Sequence, residues 1–261
     1  MSSPGTILLI GCGRMGSAMA ASWVGQWRVL AYDPQAILPS GVGRFDPLAP
    51  HDLPDDVVVV LAVKPRVFPE LTALLAPLAL RDVLFLSIMA GVRLDGLGRA
   101  LGGRRIVRAR PNTPAAIGAG ITGVVAGEGV RPADRGIVEA LLAPTGDMIW
   151  LGGEGEMDAV TAVSGSGPAY FFRFTEALAK AGEAAGLSGD LAMRLARETF
   201  TGGAALAAND ASPLAVLREQ VTSPGGTTAA GLAQMDVDQA IDALVERIVT
   251  AAARRSRELS G

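Results

Sequence analysis

The apolar run Thr6 to Ile10 passes without a break into Gly11-Cys12-Gly13-Arg14-Met15-Gly16, and no other stretch limits the fold as strongly. Its β-branched and aliphatic residues form a short strand. Ser17 to Val24 has helical composition, and Arg28 to Tyr32 reads as a second strand ending at Asp33. A strand, a glycine turn, a helix and a strand, with an acid about 20 residues beyond the second glycine, is the pattern of a dinucleotide-binding unit. Gly11 makes the tight turn, Gly13 lets the backbone approach a pyrophosphate, and Gly16 permits close packing of helix on strand. The helix N-terminus favours the phosphate charge. Cys12, Arg14 and Met15 complete the candidate phosphate loop. Asp33 either accepts a bond from a ribose 2′-hydroxyl or caps the turn before Pro34. The first role favours NADH over NADPH, although Arg28 or Arg44 could soften repulsion of a 2′-phosphate.

The next segments repeat the alternation. Val57 to Val63 is a continuous apolar run of the kind buried on both faces of a parallel sheet, and it stops at Lys64-Pro65. Phe68 to Leu80 reads as helix. Strands are expected over Val83 to Ile88, Arg105 to Ala109, Ile121 to Ala126 and Asp147 to Leu151, with a helix over Pro132 to Leu142. After Gly152-Gly153 the β-runs vanish. Helices are expected from Asp158 to Gly186 (interrupted at Ser164 to Pro168), from Leu191 to Asn209 with Ser188 as N-cap, from Ser212-Pro213 to Gln220, and from Val237 to Leu259. The fold class is therefore α/β: a Rossmann-type dinucleotide-binding domain over 1–152 followed by an all-α domain over 153–261.

Composition excludes several classes. The net charge of −3 speaks against a nucleic-acid surface. Mean hydropathy is +0.35, but no apolar run is long enough to span a bilayer. The first residues lack the basic start of a signal peptide. One cysteine and one histidine leave no disulfide framework and make a His/Cys metal site implausible; a lone thiol suits a reducing, cytoplasmic setting. His51 lies in a loop-like stretch and reads as solvated. An Ala-rich helical half leaves much apolar surface to cover, which implies a homodimer or a multiple of dimers.

Near the far end stands Ser223-Pro224-Gly225-Gly226-Thr227-Thr228, followed by an alanine-rich helix start. Proline and glycines allow a tight turn, and the first N–H groups of the helix point into it, so the turn can hold a small anion such as a carboxylate. Serine and threonine hydroxyls add neutral donors and acceptors. Hydride transfer to an alcohol-forming carbonyl, or from an alcohol, usually needs a positioned acid or base. The helical half has no histidine, and Lys64 is the candidate nearest a strand end. An imine protonates readily, so an iminium carbon needs orientation more than acid–base help.

These stretches together resemble the pyrroline-5-carboxylate reductase family. The resemblance is carried by Gly11-x-Gly13-x-Met15-Gly16, Ala62-Val63-Lys64-Pro65, Ser87-Ile88-x-Ala90-Gly91 and Arg108-Ala109-x-Pro111-Asn112-Thr113-Pro114. It continues through Asp158 to Tyr170 and, most distinctively, Gln220 to Leu232. It implies NAD(P)H-dependent reduction of a cyclic imino acid, 1-pyrroline-5-carboxylate, to L-proline, with an active site containing segments of both subunits. It further implies that Ser223, Gly225, Gly226 and Thr227 hold the substrate carboxylate and that Thr228 bonds the ring nitrogen. Ala62, Val63, Lys64, Pro65, Asn112 and the segment from Ser164 to Gly167, with Ser166 on the substrate, would border nicotinamide and ribose. Ser87 and Ala90 would lie on the cofactor side. Duller alternatives stand beside these: Lys64 as a solvated strand end, Asn112 as a cap between prolines, and Gly165-Ser166-Gly167 as a helix-packing stretch.

The chain departs from the family pattern at Arg110, commonly methionine, and at Arg66, commonly glutamine. Arg110 either attracts a carboxylate or points to solvent. Related imine or 3-hydroxyacid reductases share the layout, but the latter would place a catalytic lysine in the helical half, where only Lys180 stands. A non-catalytic dinucleotide sensor would not need the Ser223 to Thr228 turn.

Overall fold

The computed structural model describes residues 5–46, 49–103 and 105–260; residues 1–4, on which the reading of the N-terminus partly rests, lie outside them. The first half alternates as expected. It runs β1 (Thr6–Ile10), α1 (Arg14–Trp23), β2 (Arg28–Tyr32), β3 (Gly43–Arg44), β4 (Val58–Leu61), α2 (Phe68–Leu80) and β5 (Leu84–Ser87). There follow α3 (Leu94–Leu101), β6 (Ile106–Pro111), β7 (Gly120–Ala126), α4 (Pro132–Leu142) and β8 (Gly146–Trp150). The strands form one sheet in the order β3-β2-β1-β4-β5-β6-β7-β8. Pairing is parallel from β3 to β6, β7 runs antiparallel to β6, and β8 is parallel to β7.

Alternation along each strand divides the core between two faces. Ile7, Leu9, Val58, Val60, Leu84 and Leu86 pack with Met19 and Trp23 of α1 and Val138 and Leu141 of α4. Leu8, Ile10, Val59, Leu61 and Phe85 pack with Phe68, Leu71 and Leu75 of α2 and Leu97 of α3. Because both faces are covered, the strands read as unbroken apolar runs. Trp23 Nε1 donates to the Leu141 carbonyl at 2.7 Å, tying α1 to α4 inside that layer.

Four charged side chains close the amino end of β6. Asp134, 1% exposed, accepts from Arg105 Nε at 3.1 Å and Nη2 at 2.5 Å. It also accepts from the Arg131 backbone N–H at 2.8 Å, capping α4. Arg105 Nη1 donates to the Asp82 carbonyl, and Arg131 pairs with the Asp82 carboxylate.

The second half is helical: α5 (Met157–Val160), a π-helical turn (Thr161–Gly165), α6 (Gly167–Ala184), α7 (Gly189–Asn209), α8 (Leu214–Gln220), α9 (Thr227–Asp236) and α10 (Ala240–Ser260). Two expectations are corrected here. Ser212 and Pro213 read from the sequence as N-cap and first helical residue of α8, but Pro213 is the flanking residue and no side chain caps that helix. The final helix begins at Ala240 because Asp238 and Gln239 take φ of 53° and 56°, which breaks the run from Val237.

By packing, the chain forms two compact units, Met1–Ser166 with Ala252–Gly261, and Gly167–Ala251. In the second, α6 and α7 lie antiparallel. Gly182 faces Ala192, and the Phe200 ring sits 6.2 Å from Phe171 and 6.1 Å from Phe172. Small buried residues, Ala179, Ala192 and Ala196, let the two helices approach closely. Among the described residues no helix is long and apolar enough to cross a membrane.

Candidate active site

The glycine loop has the geometry that its residue types require. Gly11 adopts φ +92°, and a Cβ there would stand 2.7 Å from Val63 Cγ1, so only glycine fits between β1 and β4. A Cβ on Gly16 would lie 2.5 Å from the Gly11 carbonyl oxygen, so α1 can approach the loop only without one. Gly13 flanks the start of α1 and has nothing within 4 Å of its missing side chain. That opening lies where the first N–H groups of α1 are unpaired. Arg14 is exposed, Met15 is half-buried, and Cys12 is buried. Burial pushes the Cys12 thiol up, and the Asp33 charge adds to this, so it stays a packing residue rather than a nucleophile.

Asp33 follows the end of β2. Its Oδ2 accepts the Cys12 N–H at 2.8 Å, and its Oδ1 accepts from Gln35 and Ala36 at 3.0 and 3.1 Å. The capping role weighed from the sequence is thus present, and the same bonds fix a carboxylate beside the glycine loop. Arg44 donates at 2.8 Å to both the Asp33 and Ala36 carbonyls, placing a cation on the same rim, while Arg28 stands at the opposite, amino end of β2.

The parallel sheet collects the other first-unit positions. Gly11 follows β1, Asp33 follows β2, Ala62 to Pro65 follow β4, Ala90 lies beyond β5, and Asn112 follows β6. All stand beyond the carboxyl ends of parallel strands, the edge where ligands bind in doubly wound folds. Lys64 is exposed at the start of a short turn, and no ion pair holds it among the described residues. Ala62 and Val63 border Gly11. Asn112 is buried, with Oδ1 accepting the Ile121 N–H at 3.1 Å, so its side chain does join the two strands it lies between. The buried Ser87 hydroxyl accepts the Met89 N–H at 3.4 Å.

The Thr161–Gly165 stretch is a π-helical turn, closed by the Ser166 N–H on the Thr161 carbonyl at 2.9 Å. Such turns often mark functional sites. Beside it, Arg110 Nε donates to Thr161 Oγ1 at 3.3 Å, and its Nη2 would stand 3.2 Å from a Cβ on Gly165. Arg108 is buried and pairs with Glu154. Burial pushes the Arg110 guanidinium down, and the neighbouring Arg108 cation adds to the effect.

The Ser223 to Thr228 turn belongs to the second unit. The Gly226 N–H donates to the Ser223 carbonyl at 3.0 Å, and Gly225 takes φ +71°. With Pro224 before it, this is the arrangement of a type II turn. Gly226 leads into α9, whose first turn holds no acid and has no side-chain cap. Ser223, Gly225, Thr227 and Thr228 are exposed, so the turn offers neutral hydroxyl and N–H donors to solvent.

Sequence reasoning missed two pairings. One is the Arg108–Glu154 ion pair, signalled only by a charge within an apolar strand. The other is Asp158, 7% exposed, which accepts the Ser256 hydroxyl at 2.6 Å and lies 4.0 Å from Arg93. His51 is exposed beside Asp52 and takes no part in the site.

Residues 154–259 match the family model described as pyrroline-5-carboxylate reductase dimerisation. The pyrroline-5-carboxylate reductase of Pisum sativum is 40% identical over 211 residues, 79% of this chain and 77% of that protein. The structure of a pyrroline-5-carboxylate reductase from Coxiella burnetii has a TM-score of 0.88 at 32% identity, over 99% of this chain and 100% of that one. The Plasmodium falciparum pyrroline carboxylate reductase, solved with NADP bound, has a TM-score of 0.80 at 28% identity, over 98% and 99% of the two chains. Similarity of this extent joins the glycine edge of the sheet and the Ser223 to Thr228 turn into one conclusion: the chain belongs to the pyrroline-5-carboxylate reductase family.

Proposed function

We propose that the chain catalyses the reaction for which its family is named, reduction of 1-pyrroline-5-carboxylate to L-proline with a nicotinamide dinucleotide. The observation that carries this reading is the Gly225 turn opening α9, an exposed turn of neutral hydroxyl and N–H donors at a helix start. The sheet edge fits the cofactor, because Gly13 leaves open space at the N-terminus of α1 and Asp33 is fixed beside it. When bound, the dinucleotide supplies the hydride. Ser223, Gly225, Gly226 and Thr227 hold the substrate carboxylate, Thr228 bonds the ring nitrogen through its hydroxyl, and Ser166 faces the substrate. Gly11 to Gly16, Asp33, Ala62 to Pro65, Ala90 and Asn112 line the cofactor, with Lys64 at the reacting end. Residues 1–152 act as the cofactor domain, and 153–261 serve dimerisation and substrate binding. A cytoplasmic setting suits the single, buried thiol.

The cofactor is a nicotinamide dinucleotide, and NADH is the preferred form. Asp33 is held by three backbone N–H groups and cannot swing away from a 2′-phosphate. Arg44 reduces the repulsion without removing it, so the preference in kcat/KM is about 10-fold, or ~1.4 kcal/mol. Purified protein given pyrroline-5-carboxylate with NADH or NADPH tests both points. Failure to oxidise either cofactor overturns the reaction, and a higher kcat/KM with NADPH overturns the role of Asp33.

Self-association is supported by the match to the dimerisation model, and we read the assembly as a homodimer or a multiple of dimers. The second unit leaves Phe171, Phe174, Leu178 and Leu195 at 62%, 54%, 45% and 49% exposure, more aromatic and aliphatic surface than a lone helical unit tolerates. Lys180 is exposed on α6, which gives the 3-hydroxyacid alternative no buried lysine to use.

A further inference from the structure

Asp33 and Arg44 meet at one short turn without pairing. The Asp33 carboxylate faces three backbone N–H groups, those of Cys12, Gln35 and Ala36. Arg44, set beside Ala31 by the register of β2 and β3, sends Nη1 to the Asp33 carbonyl and Nη2 to the Ala36 carbonyl, both at 2.8 Å. Two neutral acceptors therefore fix the guanidinium, and among the described residues no acidic side chain takes up its charge. A guanidinium has five N–H donors, so these bonds leave several unspent on an exposed side chain. Carbonyl and carboxylate belong to one residue, so a ligand group that reaches the Asp33 carboxylate also comes into the range of this cation. The Cys12 thiol registers both charges. Burial raises it and the Ser17 hydroxyl eases it; beyond these, the Asp33 charge raises it and the Arg44 charge lowers it.

An acid at the end of the second strand takes a ribose 2′-hydroxyl, and a phosphate on that oxygen meets repulsion from the same acid. Here it also meets a fixed cation. We infer that Arg44 is the specificity-determining residue that admits a 2′-phosphate, so that the Asp33–Arg44 couple, rather than Asp33 alone, sets the choice between NADH and NADPH. This rests on the cofactor reading given above. The planar guanidinium matches phosphate geometry, and its anchoring to two carbonyls means that little side-chain freedom is lost on contact. The neighbouring arginines are placed for other work: Arg28 begins β2 at its amino end, and Arg14 opens α1 within the glycine loop. Because acid and base are each held by backbone and not by one another, each keeps its charge for the ligand. Neutralising either one therefore shifts the preference in a direction set by the one that remains.

The test measures binding rather than turnover, by calorimetry on the full chain. Its ligands are adenosine 5′-monophosphate and adenosine 2′,5′-bisphosphate, which differ by the 2′-phosphate alone. Arg44→Gln keeps amide donors for the two carbonyls but carries no charge. It should weaken the bisphosphate about 10-fold, as loss of a charge-assisted contact predicts, and move the monophosphate less than about twofold. Arg44→Lys should recover part of that loss, as a point charge without the fork. Asp33→Asn should invert the order of the two nucleotides, with the bisphosphate bound the more tightly, and adding Arg44→Gln should remove the inversion. An unchanged bisphosphate affinity in Arg44→Gln overturns the proposal. Equal losses for both nucleotides also overturn it, leaving Arg44 as a brace of the turn. So does a wild type that binds neither nucleotide, nor NAD+ nor NADP+ in the same titration. Should Arg44→Gln lose its thermal transition, Asp33→Asn decides with Arg44 intact: a monophosphate still preferred there sinks the role of Arg44. Turnover of pyrroline-5-carboxylate by the wild type judges the reaction itself. The two test nucleotides carry no nicotinamide, so their affinities judge Arg44 whatever the enzyme reduces.

Discussion

Asp134→Ala is expected to destabilise the protein by about 3–5 kcal/mol, the usual loss when one partner of a buried ion pair is removed. Asp134 is 1% exposed and accepts two bonds from Arg105 and one from the Arg131 backbone. Its removal leaves the half-buried Arg105 without its closest counter-charge and α4 without its cap. Equilibrium denaturation measures the effect, and an unchanged midpoint would contradict it. The wild type also carries a pH signature. Burial by itself would raise the Asp134 carboxyl, but the Arg105 and Arg131 hydrogen bonds outweigh it and hold the group below its ordinary value of 3.8. The folded state therefore binds this proton less readily than the unfolded state. The contribution of the carboxylate is complete above 3.8 and disappears as pH falls through the lower folded value, so the gap between variant and wild type should narrow in acid.

Thr228→Ala should lower kcat/KM for pyrroline-5-carboxylate by about 10- to 100-fold, if its hydroxyl supplies ~1.4–2.7 kcal/mol of transition-state stabilisation. Thr228 is exposed in the first turn of α9, so losing its hydroxyl should leave the fold intact. Steady-state kinetics with equal thermal transitions makes the comparison. Unchanged kinetics would remove Thr228 from the mechanism and leave the turn as a carboxylate holder alone.

The elements whose sequence expectations match residue for residue are β1, β2, α2 and α4. Both α2 and α4 carry a proline in the first turn, where the missing N–H costs nothing. Helix α3 was not foreseen, although Leu94, Leu97 and Leu101 lie at helical spacing. Its two interior glycines, at about 1 kcal/mol each, hide that signal, and packing of Leu97 and Leu101 under the sheet overrides the penalty. Every strand-end position proposed for the cofactor could be placed from the sequence, because a parallel strand that stops at a glycine, lysine–proline or asparagine marks its own carboxyl end. The pairings could not. Glu154 stands 46 residues from Arg108, and Ser256 stands 98 from Asp158. Nothing local encodes such partners. The π-helical turn is likewise set by which carbonyl the Ser166 N–H reaches, a matter of register rather than composition.

The end of α10 carries a consequence for how the chain is made. Residues from Ala252 onward complete the first compact unit, where Ser256 meets Asp158 and the Leu259 carbonyl lies 3.0 Å from the missing Cβ of Gly91. Gly167–Ala251 must be synthesised in between, which at about 5–20 residues per second takes roughly 4–17 s. During that interval the nascent sheet waits on the ribosome with its Ser87 to Gly91 turn uncovered. The first unit therefore closes only after the second has been made.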